Sequence, residues 1–153
     1  MDTPKQFSTV RLTWDGERRF DAGRPGGPTS RMDGDARTGP SPVDMLIGAL
    51  AACTAIDVVD ILAKRRTPVS SLVIDGVGTR APTLPKRVTA VDLTFHVSGD
   101  NIDRTHAERA VELAITKYCS VRDTLDAAMP IRYVVTLNGV AGGTITAGGN
   151  SSR

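Results

Sequence analysis

Ser41-Pro42-Val43-Asp44-Met45-Leu46-Ile47-Gly48-Ala49-Leu50-Ala51-Ala52-Cys53-Thr54-Ala55-Ile56 carries the clearest structural signal in the chain. Ser41 is a capping hydroxyl. Pro42 suits the first helical position, where the missing N–H has no partner to lose, and Asp44 stands three residues after the cap, where the acid of a capping box reaches back. Beyond that start, Met45, Leu46, Ile47, Ala49, Leu50, Ala51, Ala52, Ala55 and Ile56 place apolar side chains on every face of the first four turns. A helix with no polar face is buried all round. It extends to about Arg66, where Thr67-Pro68 stops it. A small domain covers such a helix only with its own sheet plus a second subunit, so a homodimer is expected.

Working outward, Ser8 to Trp14 alternates and is rich in β-formers, Asp15-Gly16 signals a hairpin, and Glu17 to Asp21 is the returning strand. Residues 22–42 are dense in Gly, Pro, Asp and Arg and read as a long loop with room for one short strand. After the helix, Val69 to Arg80 and Arg87 to Ser98 are β-rich. In the latter, Val91, Leu93, Phe95 and Val97 alternate with Asp92, Thr94 and His96, the pattern of a strand with one wet face. A second helix is expected from about Asp103 to Tyr118, with Ala107, Ala110, Val111, Ala114 and Ile115 on one face. Ser120-x-x-Asp123 starts a short third helix, and Ile131 to Leu137 is a last strand. Because strands arrive in adjacent pairs, the expected fold is α+β, an antiparallel sheet with a long buried central helix. Residues 1–140 form a single domain in this reading, and residues 141–153, rich in Gly, Ser and Thr, a flexible tail.

Composition narrows the function. Aromatic residues are 4% of the 153, too few for base-stacking surfaces, and a net charge of +2 without Lys/Arg runs gives no electrostatic footprint for nucleic acid. The polar start, Met1 to Gln6, has no apolar signal core. The apolar run from Met45 to Ile56 falls short of the ~18 residues of a membrane span. A cytoplasmic protein with no membrane partner is expected.

Two cysteines do not make a disulfide framework, and neither Cys-x-x-Cys nor histidines at zinc spacing occur, so no metal and no cofactor are expected. In a reducing compartment two thiols are inert core residues or a redox pair. Cys53 stands among apolar neighbours, which raise a thiol pKa. Cys119 directly precedes a helix start, where backbone N–H groups and the macrodipole favour thiolate. His96 on a polar strand face and His106 in a first helical turn are expected to face solvent.

Gly39-Pro40-Ser41-Pro42-Val43-Asp44-Met45-Leu46-Ile47-Gly48-Ala49-Leu50-Ala51-Ala52-Cys53 resembles the central-helix motif of the OsmC/Ohr family, and Lys117-Tyr118-Cys119-Ser120-Val121 resembles its second cysteine segment. The resemblance covers roughly residues 37–136. It implies an intertwined homodimer with the cysteines at the subunit interface, and a thiol-dependent peroxidase acting on organic hydroperoxides. In that assignment Cys53 is the attacking cysteine and Cys119 the resolving one, and a small dithiol or lipoyl-type reductant reopens their disulfide. The family's cation is an arginine from the N-terminal strands, for which Arg18 and Arg19 are the candidates. Its acidic partner directly follows the proline, where this chain has Val43. Asp44 comes one residue later, ~100° further round the helix. That departure leaves membership intact and weighs against strong peroxidase activity. The competing expectation is a non-enzymatic module of the same fold that binds an apolar small molecule at the dimer interface.

Overall fold

A computed structural model describes residues 6–148 of the chain. These fall into two compact units that divide between Leu46 and Ile47, where the sequence reading takes residues 1–140 together.

The first unit is a three-stranded antiparallel sheet of β1 (Arg11–Trp14), β2 (Arg19–Gly23) and β3 (Thr29–Asp33), in that order. The Asp15-Gly16 turn forms, with Gly16 at φ +80°, a backbone conformation that glycine adopts at no steric cost, but the returning strand is Arg19–Gly23 rather than Glu17 to Asp21, because Trp14 pairs with Phe20 across a longer loop. The Trp14 indole N–H donates to the Glu17 carbonyl at 2.9 Å and braces the turn. Arg31 on β3 joins Asp21 on β2 at 2.8 Å and Asp15 in the turn at 2.7 Å. At the end of β3 the buried Asp33 carboxylate accepts the amides of Asp35 and Thr38 and the Thr38 hydroxyl, which hold its pKa down to about 2.

The helix α1 (Pro42–Lys64) starts where its signals place it. The Ser41 amide donates to Asp44 Oδ2 at 3.0 Å and the Asp44 amide donates to Ser41 Oγ at 3.2 Å, a closed capping box. Within the second unit α1 buries one stripe, Leu50, Thr54, Val58 and Leu62, spaced four residues apart. Ile56 and Val59 are exposed. One sheet covers only one stripe of a helix, so within the single chain the other faces of α1 stay open. By length and composition the whole of α1 is long and apolar enough to cross a bilayer, a test that a core helix also passes.

Four strands, β4 (Ser71–Arg80), β5 (Val88–Ser98), β6 (Ile131–Leu137) and β7 (Val140–Ala141), follow one another in the second sheet, and β8 (Ile145–Thr146) pairs with β6. Leu93, Phe95 and Val97 on β5 and Tyr133 and Val135 on β6 form the buried face. On β4, Gly76 and Gly78 are the residues that admit α1. A Cβ added there would lie 2.7 and 2.5 Å from Ile47 side-chain carbons. Strands β4 and β5 are antiparallel, as expected, but β5 and β6 are parallel, so the purely antiparallel sheet is corrected to a mixed one. The connection between them passes through helices, and a crossover of that length permits parallel pairing.

Helix α2 (Arg104–Leu113) is capped by Asp103, whose carboxylate accepts the His106 amide at 2.8 Å. Ala107, Ala110, Val111, Ala114 and Ile115 are its buried face, as the spacing predicts. Its last part, Ala114–Tyr118, widens into a π-helix before Cys119 breaks the helix, and α3 (Ser120–Thr124) begins afresh. The tail expected from residue 141 is corrected over its first part, because β7 and β8 pair with β6 there. Residues 149–153 lie outside the described residues.

Candidate active site around two thiols

Cys53 lies in the third turn of α1, half-buried, one residue before the buried Thr54. Its Sγ stands 4.0 Å from Ser120 Oγ, so the tertiary structure joins the middle of α1 to the start of α3. Burial pushes the Cys53 thiol up. The Val121 amide, the Cys119 thiol and the hydroxyl and amide of Ser120 outweigh it and hold Cys53 below the ordinary thiol value.

Cys119 is almost wholly buried at 3% exposure. It is itself the cap of α3, with extended backbone at φ −75°, ψ 101°, and its Sγ accepts the Arg122 amide at 3.3 Å. Burial nevertheless pushes its thiol up to about 11. The neighbouring Cys53 adds to that rise, while the Arg122 amide opposes it. The expected thiolate preference is thus reversed between the two residues. Cys119 is raised, and the half-exposed Cys53 is held below its ordinary value. Among the described residues both cysteines are free.

The other candidates are held in local networks of their own. Arg18 pairs with Asp35 at 2.9 Å. Arg19 donates Nε–H to the Asp15 carbonyl at 3.2 Å and lies 3.7 Å from Glu17, so it is held within its hairpin. Asp44 is engaged by its capping box. His96 pairs with Asp75 at 2.9 Å. His106 lies between Asp103 and Arg65, at 2.6 Å from each.

Two neighbours of Cys119 escaped the sequence reading. Ser120 passed for a helix cap, whereas Cys119 takes that role and leaves the serine hydroxyl for Cys53. Arg122 is buried and donates to the Gly148 carbonyl. Its position one turn into α3 was visible, but nothing local marks an arginine as buried. Further along α1, an apolar groove of about 540 Å³ runs between Ala52, Ile56 and Val59 on the helix and Leu72 and Ile74 on β4.

The family model for OsmC-like protein matches residues 33–134, a span that takes in both cysteine segments. This chain belongs to the OsmC-like protein family. Its members include organic hydroperoxide resistance proteins. Protein YhfA of Escherichia coli K12 is 37% identical over 103 residues, 67% of this chain and 77% of the relative. Among solved structures, an OsmC-like protein from Mycoplasma pneumoniae superposes with a TM-score of 0.73 at 16% identity, covering 87% of this chain and 98% of that one. The organic hydroperoxide resistance protein OhrB of Bacillus subtilis gives a TM-score of 0.55 at 17% identity, over 86% and 98% of the two chains. At those identities the structural likeness establishes the OsmC-like α+β fold of the chain.

Proposed function

We propose that this OsmC-like chain is a thiol-dependent peroxidase for organic hydroperoxides, with Cys53 attacking and Cys119 resolving. The observation that carries the reading is that Cys53 Sγ lies 4.0 Å from the hydroxyl of Ser120, the residue next to Cys119, with Cys53 held below its ordinary value and Cys119 raised. The Cys53 thiolate attacks the terminal oxygen of the hydroperoxide. The S–O bond forms as the O–O bond breaks, and the alkoxide takes a proton and leaves as the alcohol. Cys53 is then a sulfenic acid. The Cys119 sulfur attacks it, the disulfide forms and water departs. Two exchange steps with a small dithiol or lipoyl-type reductant return both thiols and release that reductant as its own disulfide.

Arg19 and Asp44 enter this reading as charged candidates outside the thiol pair. Asp44 already serves as the capping acid, so its effect on rate is expected to be well below that of either cysteine. We also propose a homodimer, on the ground that Ile56 and Val59 leave one face of the apolar helix α1 exposed. Free thiols suit a reducing compartment such as the cytoplasm.

The deciding measurement is cumene hydroperoxide consumption with dihydrolipoamide or dithiothreitol. Turnover by the wild type and none by Cys53→Ser supports the reading, and equal rates overturn it. The apolar groove beside Ile56 and Val59 favours a second reading, a non-enzymatic module that binds an apolar small molecule. In that case both thiols survive one equivalent of peroxide.

A further inference from the structure

The hydroxyl of Ser120 has no structural task in the fold. The cap of α3 is Cys119, whose sulfur takes the Arg122 amide. Thr124 bonds the Ser120 carbonyl rather than its side chain. Among the described residues the one hydrogen-bond partner of Ser120 Oγ is Cys53 Sγ, at 4.0 Å. The serine is exposed, so nothing in the packing requires a hydroxyl there.

We propose that Ser120 is a positioning residue for Cys53, its hydroxyl donating to the Cys53 thiolate and aiming it. The direction of the bond follows from chemistry, because a thiolate has no proton to give and the hydroxyl must donate. The amides of Ser120 and Val121 also act on Cys53, so one short segment presents three donors to one sulfur. All are neutral, and all come from the unit that holds Cys53. The chain thereby stabilises a thiolate in partly apolar surroundings from within that unit. The assignment rests on Cys53 being the attacking thiol, yet its test is independent of turnover.

The measurement is the pH dependence of iodoacetamide alkylation, followed on the Cys53 peptide by mass spectrometry in the full-length protein. Ser120→Thr and Ser120→Val differ in shape very little and separate the hydroxyl from its bulk. Ser120→Val is expected to move the Cys53 midpoint to higher pH and to slow alkylation at pH 7 by roughly three- to tenfold, the weight of one donor to a charged acceptor. Ser120→Thr is expected to stay near the wild type. A wild-type midpoint in Ser120→Val overturns the proposal, and so does an equal shift in both variants. Peroxide consumption is read separately. A wild type that leaves peroxide untouched while Ser120→Val shifts the midpoint removes the peroxidase reading and keeps the role of Ser120. Normal turnover with no shift does the reverse.

Discussion

The two cysteine segments differ in the opposite sense from their local sequences. Cys119 opens a helix, the setting that ordinarily favours a thiolate, yet its thiol rises to about 11. Cys53 sits mid-helix among alanines and leucines, the setting that ordinarily suppresses one, yet it is held below the usual thiol value. The difference lies in where the donors of α3 point. Cys119 is buried beneath the start of its own helix and receives the Arg122 amide, while the preceding donors reach across to Cys53. A helix start stabilises the anion that its N–H groups face, whichever residue that is.

The sharpest way to break this contrast is to remove each sulfur in turn. Cys53→Ser is expected to reduce peroxide consumption to the rate of the reductant alone, whereas Cys119→Ser still consumes one equivalent and then stalls. Stopped-flow sulfenic acid trapping checks this. If Cys119→Ser prevents sulfenic acid formation and Cys53→Ser does not, the roles are exchanged.

Next in size is selective alkylation. With one thiol held low and the other at about 11, the first alkylation at pH 8 should fall on Cys53, and burial of Cys119 strengthens that preference. As pH rises toward 11, Cys119 ionises and the preference shrinks. Peptide-resolved alkylation between pH 6 and 11 measures it, and comparable labelling of both at pH 8 would remove the contrast.

Oxidation sharpens the comparison differently. One equivalent of cumene hydroperoxide is expected to join the Cys53 and Cys119 peptides within a chain, in most of the protein, and dithiothreitol to release them. Such a bond needs the two Cα atoms within ~7 Å. Two thiols that both remain alkylatable after oxidation would leave the binding module standing.

The smallest effect is expected at the acid of the capping box. Asp44→Asn retains a side-chain acceptor and should cost at most about 1 kcal/mol of stability through the weakened cap. Its peroxide consumption should stay within roughly threefold of the wild type if capping is its principal task. A loss comparable to Cys53→Ser would make Asp44 a member of the site. Thermal melts beside initial rates separate the two effects.

The sequence by itself determined those elements whose causes are near neighbours in the chain. The Ser41–Asp44 capping box, the alternating face of β5 and the Ala107–Ile115 stripe of the second helix each depend on hydrogen bonds or spacing within a few residues, and each forms where it was expected. The motifs around Cys53 and Cys119 likewise placed the chain in its family. The tertiary structure decided what depends on distant partners. Only the packed chain determined that β6 runs parallel to β5, that Gly76 and Gly78 make room for Ile47, and that only one stripe of α1 is covered. It also decided which thiol is held below its ordinary value. A thiol pKa is a balance between desolvation and the donors that face the sulfur, and the donors facing Cys53 come from Cys119, Ser120 and Val121, on the far side of β4, β5 and α2 in sequence.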